Sequence, residues 1–172
     1  MLSNKLKEAF CAQINAEFWS GYFYLSMSLD AENKGLKGVA NWYKVQYQEE
    51  LAHAQIMINY LVSMDARVDL RPIEAVRTEW PTALDMFVDT LAHEQKVTAS
   101  IHNLAQIAHD DNDFASQNML VWFVNEQIEE ESNCRDMINA FKAVEGNKFG
   151  LYMLDKELAQ RTYTEPSPLA GK

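Results

Sequence analysis

The chain has 172 residues, of which 48% are hydrophobic, and its formal net charge at pH 7 is −10. A chain of this length can bury a sizeable core without disulfides, so we expect one domain. The negative charge argues against nucleic acid as a main partner, because a phosphate backbone repels an acidic protein. No stretch approaches about 18 consecutive apolar residues, so we expect no membrane-spanning helix and no membrane partner.

The first residues and the cysteines favour a reducing compartment. The sequence enters an amphipathic pattern directly, without a signal peptide, which predicts a cytoplasmic protein. Cys11 and Cys134 show no metal-site spacing. We therefore expect both to be free thiols that pack in the core.

The first two predicted segments are long helices. Residues from about 4 to 33 repeat apolar side chains at helical spacing. Gly35 marks the end of this helix, and a second helical pattern runs from Gly38 to about Met64. Because the turn between them is short, the two helices are expected to be antiparallel neighbours.

A long connection separates the second helix from the third. Residues 66–81 contain Pro72 and Pro81 and show no sustained periodicity. About 16 extended residues reach roughly 50 Å, whereas a helix of about 28 residues is roughly 42 Å long. The connection is therefore long enough to run the length of a bundle and to place the third helix parallel to the second.

Two further long helices and a short one complete the predicted fold. The third helix runs from about residue 82 to residue 109, and the fourth follows an acidic turn at 110–113 and ends near Val144. A short fifth helix is predicted near 148–160. The sequence thus predicts an all-α domain over residues 1–160, a four-helix bundle with one long crossover between helices 2 and 3 and a short fifth C-terminal helix. Residues 161–172 are predicted to be a flexible tail.

Polar side chains interrupt the apolar faces of the long helices. Glu50 and His53 are three residues apart and therefore lie on the same face of the second helix. Glu17 and Glu94 interrupt the first and third helices in the same way. An unpaired buried carboxylate destabilises a fold, and a bound metal ion is one partner that compensates for its burial.

The fourth helix adds Gln127 and Glu130 to this set. One Glu from each of two helices, plus Glu-x-x-His from each of the other two, is a di-metal carboxylate pattern. Here the fourth helix carries Gln127-Ile128-Glu129-Glu130 in place of the second Glu-x-x-His. An isolated Glu-x-x-His more often marks a salt bridge or a solvated face, but polar residues at the middle of all four helices favour a metal centre.

These residues carry a resemblance to a known family. The sequence resembles the bacterial non-haem ferritins up to about residue 160, most specifically in residues 48–53 (QEELAH), 125–131 (NEQIEEE) and 150–158 (GLYMLDKEL). The resemblance implies a ferritin-like five-helix subunit that assembles into a hollow 24-subunit homo-oligomeric cage. It also implies that the cage oxidises Fe(II) with O2 or H2O2 and stores the iron as ferric mineral.

The resemblance further implies roles for single residues. Glu17, Glu50 and His53 would form a first iron position, and Glu50 would bridge to a second position that it shares with Glu94. Gln127 would lie beside the second position as a polar positioning group. The chemistry suits these residue types, because carboxylates with one imidazole bind Fe(II) and tolerate the harder Fe(III) product.

A third iron position and two aromatic neighbours are implied as well. The third position typical of bacterial members corresponds to Glu49, Glu126, Glu129 and Glu130. Tyr24 corresponds to the tyrosine beside the centre and Trp122 to a neighbouring aromatic residue, and both are implied to supply electrons during O2 reduction.

Departures from related families narrow the expected chemistry. In haem-containing bacterioferritins a haem-ligating methionine follows the bridging glutamate, and here that position is Leu51, so we expect no haem. Animal ferritins carry acidic iron-entry residues at the positions of Gln117 and Leu120, which leaves the entry route open.

Two other functions stay open at this point. A di-iron redox enzyme would act on an organic substrate or a peroxide without storing iron, although the fifth helix and Gln127 favour storage. A bundle without metal would leave four carboxylates facing one another, which like-charge repulsion disfavours.

His93, His102 and His109 do not share the helix face of Glu94, and we interpret them as solvated.

Overall fold

The computed structural model describes residues 2–170, and within this range the chain is built from helices without a strand. Its five helices are α1 (Asn4–Asn33), α2 (Lys37–Ser63), α3 (Ala83–Asp110), α4 (Phe114–Ala143) and α5 (Lys148–Leu158). The all-α fold and all five predicted segments are confirmed, with bounds within two residues of those expected. None of the helices in residues 2–170 combines the length and the apolarity that crossing a bilayer requires.

Local side-chain and backbone features fix where the helices begin and end. Thr82 caps α3 by accepting a hydrogen bond from the N–H of Asp85 at 3.2 Å. Asp113 caps α4 by accepting a hydrogen bond from the N–H of Ser116 at 2.9 Å. Gly35 has a φ of +75°, a left-handed conformation that glycine adopts without steric cost, and it lets the chain turn directly from α1 into α2.

Two apolar clusters show how the helices run. The first apolar cluster joins the N-terminal halves of α1 and α4 to the C-terminal halves of α2 and α3, and it includes Leu6, Met57, Ile101 and Phe123. The second apolar cluster joins the opposite halves of the same helices and includes Met27, Tyr43, Phe87 and Phe141. Helices α1 and α2 are therefore antiparallel, as are α3 and α4, while α2 and α3 run parallel.

The connection between α2 and α3 follows α1 along the bundle. Near its start, Asp69 forms an ion pair with Lys7 at 3.0 Å. At its end, Trp80 is buried and donates its backbone N–H to the carboxylate of the buried Asp30 at 3.0 Å. Since Lys7 and Asp30 lie at opposite ends of α1, the single long crossover predicted from the sequence is confirmed.

Helix α5 packs across the start of α2. Gly38 permits this contact, because a Cβ at that position would lie only 1.6 Å from the backbone oxygen of Asp155. The N–H of Val39 donates to the Asp155 carboxylate at 2.9 Å. The Asn41 amide donates to the backbone oxygen of Arg161 at 2.9 Å, which fixes the residue just beyond α5.

The segment predicted to be a flexible tail begins with anchored residues. Arg161 is held by Asn41, and Leu169 packs against the first apolar cluster. The flexibility of the tail stays a prediction, and its last residues, 171–172, lie outside the described part of the chain.

Candidate metal centre

A polar layer separates the two apolar clusters at the middle of the bundle. Its members come from all four long helices and are each at most 4% exposed: Glu17, Glu50, His53, Glu94, Gln127 and Glu130. The fold thus brings the polar residues of the four helices to one level, because all of them lie near the middle of their helices.

The tightest part of this polar layer is formed by Glu17, Glu50 and His53. One ligand atom from each residue lies within 4.8 Å of the other two. The Nδ1 atom of His53 is 3.4 Å from Glu50 Oε2 and 4.0 Å from Glu17 Oε2. These groups face one space, where a cation would meet two carboxylates and an imidazole.

Gln13 orients the first of these carboxylates. Its amide donates to Glu17 Oε1 at 2.8 Å, and its own side-chain oxygen accepts from the hydroxyl of Ser100. Because Oε1 of Glu17 is engaged in this way, Oε2 is the oxygen that faces His53.

Glu94 lies beside this trio and is held by two donors. The hydroxyl of the fully buried Tyr24 donates to Glu94 Oε1, and the Gln127 amide donates to Glu94 Oε2 at 3.1 Å. Burial raises the pKa of Glu94 to about 7, although these two hydrogen bonds act in the opposite direction. Both oxygens of Glu94 are therefore fixed by neutral partners rather than by a cation.

Mutual repulsion makes the polar layer a favourable place for a cation. The pKa of Glu50 is well above its usual value because of burial, and then because of the charges on Glu17, Glu94 and Glu130. Burial together with the charge of Glu94 raises the pKa of Glu130 to about 8. Since Glu50 feels carboxylates from three other helices, it occupies the central position of the polar layer.

His53 also fits a metal ligand. Its Nε2 atom is buried without a hydrogen-bond partner, and its ring packs against Trp122 and Phe123 with centroid distances of 5.5 and 5.9 Å. Aromatic packing fixes the ring while Nδ1 faces the carboxylates. A set of carboxylates with one imidazole fits iron and other divalent first-row metals.

Glu49, Glu126 and Glu129 form an outer group of carboxylates on α2 and α4, next to the polar layer. Burial raises the pKa of Glu126, and the charges of Glu129 and Glu49 raise it further, so the three groups act on one another. Glu49 and Glu126 are half-buried, whereas Glu129 is exposed. Glu49 pairs with Arg161, whose Nη2 atom is 2.7 Å from Glu49 Oε2.

Glu130 belongs to the polar layer but faces the outer group as well. It accepts a hydrogen bond from Gln46 at 3.0 Å, and the charge of Glu49 raises its pKa further. Among the four residues expected at a third iron position, the charge of Glu49 thus acts on both Glu126 and Glu130, although Glu49 is already paired with Arg161.

Sequence reasoning missed several residues that support this arrangement. Gln13, Gln46 and Arg161 bond to Glu17, Glu130 and Glu49 respectively. Gln46 lies four residues before Glu50 on the same helix face, which was the available signal. Arg161 follows the last helix and offered no periodic signal.

The prediction that His93 is solvated was wrong. Its ring packs with Trp19, Phe23 and Tyr24, and its Nε2 atom is 2.7 Å from the hydroxyl of Ser20. Burial lowers the pKa of His93 to about 4, so it is neutral at pH 7. His102 and His109 are exposed as predicted.

The two cysteines are buried and free, as predicted. Burial raises the pKa of the Cys134 thiol, and the nearby charges of Glu94 and Glu130 raise it further. Cys134 is therefore a neutral thiol beside the polar layer rather than an anionic ligand.

Known proteins share this sequence and architecture. The family model for the ferritin-like domain matches residues 7–144. A bacterial non-haem ferritin of Staphylococcus aureus (strain USA300) is 35% identical over 165 residues, which are 96% of this chain and 99% of that protein. One from Bacteroides fragilis (strain 638R) is 37% identical over 161 residues, covering 94% of this chain and all of that protein.

Solved structures agree with this placement. The open pore ferritin of the hyperthermophilic archaeon Archaeoglobus fulgidus is 41% identical and superposes with a TM-score of 0.93, covering 94% of this chain and 100% of the other. An engineered closed form of the same ferritin gives a TM-score of 0.94 at 41% identity, covering 95% of this chain and 100% of the other. With family, sequence and fold in agreement, the chain belongs to the ferritin family, alongside the bacterial non-haem ferritins.

Proposed function

We propose that this protein stores iron by oxidising Fe(II) at a di-iron centre within each subunit and depositing ferric oxyhydroxide inside a homo-oligomeric cage. The observation that carries the proposal is the convergence of Glu17, Glu50 and His53 on one space within 4.8 Å, inside a layer of buried carboxylates. Such a layer attracts cations, and iron is the cargo that fits this donor set.

The polar layer provides two adjacent iron positions. Glu17, Glu50 and His53 hold the first Fe(II), and Glu50 and Glu94 hold the second, with Gln127 positioning Glu94. Glu50 is the bridging ligand. This role is supported by the charges of Glu17 and Glu94, which both raise the pKa of Glu50. Two Fe(II) ions each give one electron to O2, which takes up two protons and leaves as H2O2. With H2O2 as oxidant, the same two electrons and two protons yield two waters.

Neighbouring residues assist this reaction. Glu49, Glu126, Glu129 and Glu130 form a third, outer iron position. When Tyr24 and Trp122 each supply one further electron, O2 takes up four electrons and four protons in total and leaves as two waters. Further Fe(II) then returns one electron to each side chain. Their contacts with Glu94 and His53 support this role. The centre works without haem, since Leu51 replaces the haem-ligating methionine.

The proposed cage is a 24-subunit homo-oligomer in the cytoplasm. A single subunit leaves large apolar side chains on α5 exposed, with Phe149 at 72%, Tyr152 at 55% and Met153 at 51%. Burying such side chains against other copies favours assembly. The buried free thiols suit a reducing compartment.

The deciding experiment is iron retention after aerobic loading with Fe(II) and gel filtration. We expect on the order of tens of iron ions or more per subunit, eluting with a very large particle, because the ligand set alone holds only about three. Glu17→Ala should lose the rapid initial phase of oxidation, whereas His102→Ala, which changes an exposed histidine of α3, should retain it.

A different outcome would identify a different function. Retention of about two ions per subunit on a small oligomer would contradict storage and would favour a di-iron redox enzyme acting on an organic substrate or a peroxide. Retention of none would exclude both functions.

A further inference from the structure

The guanidinium group of Arg161 is seated at the outer edge of the polar layer. Its Nη2 atom donates to Glu49 Oε2 at 2.7 Å and to Gln46 Oε1 at 2.6 Å. Its Nη1 atom donates to the Trp42 carbonyl at 3.2 Å, and its central carbon lies 4.5 Å from the centroid of the Trp42 ring. Three hydrogen bonds and a cation–π contact thus hold one positive charge against α2.

Gln46 connects this charge to the buried carboxylates. Gln46 is fully buried; its oxygen accepts from Arg161, and its amide donates to Glu130 Oε2 at 3.0 Å. The side chains of Arg161 and Glu49 are 23% and 20% exposed, so their ion pair lies at the boundary between solvent and the polar layer. Partial burial makes such a pair stronger than one on an open surface.

The docking of α5 sets the position of Arg161. Close approach of Asp155 to Gly38 fixes α5 on α2, and Asn41 binds the backbone oxygen of Arg161. Beyond Arg161 the chain continues to Leu169, which packs against the first apolar cluster. The fold of the C-terminal segment therefore places the Arg161 guanidinium beside Glu49, and helix α2 itself does not supply this cation.

We propose that Arg161 is an exchangeable counter-cation at the outer metal position. Its guanidinium group binds Glu49 until a divalent metal ion displaces the guanidinium. This inference rests on the proposed function, because it takes Glu49, Glu126 and Glu129 to form a metal position. Arg161 and the metal both need Glu49, so docking of the C-terminal segment and occupancy of the outer position oppose each other. By linkage, each weakens the other by the same factor.

Arg161 is then a positioning residue that keeps the outer position weak. A carboxylate already engaged by a guanidinium binds a metal less tightly than a free one, because the metal must first displace the guanidinium. Ions at the outer position thereby remain exchangeable. When an ion leaves, Arg161 binds Glu49 again and the C-terminal segment is docked once more.

A Zn(II) titration of the assembled, metal-free protein tests the effect on affinity, because Zn(II) binds carboxylates and imidazole and is not oxidised. The outer binding step is identified as the one that Glu126→Gln removes. We expect Arg161→Gln to tighten this step about fivefold or more, and Arg161→Lys to fall between this variant and the wild type. Arg135→Gln, which makes the same charge change at an exposed residue of α4, should alter the step less than about twofold.

Hydrogen exchange of residues 162–170, followed by mass spectrometry, provides a readout that does not depend on activity. In the wild type we expect Zn(II) to increase exchange in this segment. Glu49→Gln should increase it without any metal, because it removes the ionic partner of Arg161. This second variant tests the docking even if Arg161→Gln disturbs folding or assembly.

The outcomes separate this inference from the proposed function. If the inner positions bind Zn(II) but the outer step is equal in Arg161→Gln and Arg135→Gln, the role of Arg161 is overturned and the metal centre stands. Exchange that does not change with Zn(II) or in Glu49→Gln overturns the role of Arg161 as well. If no Zn(II) binds to the wild type, the metal centre itself is overturned.

Discussion

Glu94 and Glu130 keep their protons to higher pH in the folded protein than in an unfolded chain. Their pKa values are about 7 and about 8, mainly because burial disfavours the charged forms, against an ordinary value of 4.5. Between the ordinary pKa of 4.5 and these raised pKa values, the folded protein binds more protons than the unfolded one. The free energy of unfolding therefore decreases as pH rises through this window.

We expect the Tm of the metal-free protein to fall by about 5 °C or more between about pH 5 and pH 8, because each unit of pKa shift is worth about 1.4 kcal/mol. Glu130→Gln should flatten this slope, since it removes one titrating group while preserving the side-chain shape. Circular dichroism melts across the pH range measure both. Glu145→Gln, a change at an exposed carboxylate, is the matched control, and equal slopes in the two variants would contradict the explanation.

Tyr24 is expected to tune Glu94 through its hydroxyl group. Its hydrogen bond lowers the pKa of Glu94 against the effect of burial, so Tyr24→Phe should leave Glu94 more protonated at pH 7. We expect metal affinity at pH 7 to fall roughly tenfold, as for other groups that orient a ligand. Anaerobic Fe(II) titration measures the effect.

The matched control for Tyr24→Phe is Tyr43→Phe. Tyr43 is also fully buried, but its hydroxyl is 3.0 Å from Thr90 Oγ1 and is not bonded to a carboxylate. If both variants lose affinity equally, packing of the rings rather than the Tyr24 hydrogen bond explains the result.

Residues of the centre were predictable where they break a periodic pattern. Glu17, Glu50 and Glu94 could be placed together because each replaces an apolar side chain on a buried helix face. The contact of Arg161 with Glu49 could not be predicted, because it depends on how a segment without periodicity docks. His93 was misjudged for a related reason: rings from the neighbouring helix α1 cover it, and its own helix pattern does not show them.

At the scale of secondary structure elements, the crossover was easier to predict than the docking of α5. Pro72 and Pro81 interrupt the helical pattern, and the connection is long enough to cross the bundle. The position of α5 depends instead on the missing side chain of Gly38, which brings the Asp155 backbone close to α2. A single glycine in the sequence does not indicate which segment packs against it, so this docking becomes visible only in the structure.

Gly38→Ala is expected to displace α5. A Cβ at residue 38 would lie 1.6 Å from a backbone oxygen, and backbone cannot yield as a flexible side chain does. We expect a loss of about 1–3 kcal/mol of stability, a fall in Tm of about 5 °C and faster hydrogen exchange in residues 148–161. Thermal melts and exchange followed by mass spectrometry measure these effects.

Gly21→Ala provides the control for the docking of α5. The nearest atoms to a Cβ there lie at 3.5 Å, an ordinary contact, and alanine favours a helix by up to about 1 kcal/mol over glycine. We therefore expect an unchanged or higher Tm for the metal-free protein. An unchanged Tm and unchanged exchange in Gly38→Ala would show that α5 does not depend on the close approach.

At the scale of the whole molecule, the polar layer divides the core into two apolar halves. Each half contains side chains from all four long helices, so the bundle does not depend on the polar layer for its packing. Metal that binds only to the folded state stabilises it by mass action and removes the repulsion among the carboxylates. The bundle can thus tolerate an electrostatically unfavourable layer when it is empty and become more stable when it is loaded.

Residues of the fourth helix are expected to determine whether iron moves on to be stored in the cavity or stays bound at the di-iron centre. The Gln127 amide donates to Glu94 at 3.1 Å and so presents N–H groups at the proposed second position instead of a further carboxylate. On the proposed function, a second ion that is held weakly in this way would leave for the cavity. The double variant Gln127→Glu with Glu130→His restores the second Glu-x-x-His of retained di-iron centres.

We expect that double variant to keep about two iron ions per subunit after aerobic loading and to store far fewer ions beyond them than the wild type, because a complete ligand set holds its ions. Iron analysis after gel filtration measures retention. Asp136→His, which adds an imidazole at an exposed position of α4, should load as the wild type does. Wild-type storage in the double variant would contradict the argument, because it would show that a complete ligand set does not prevent iron from leaving.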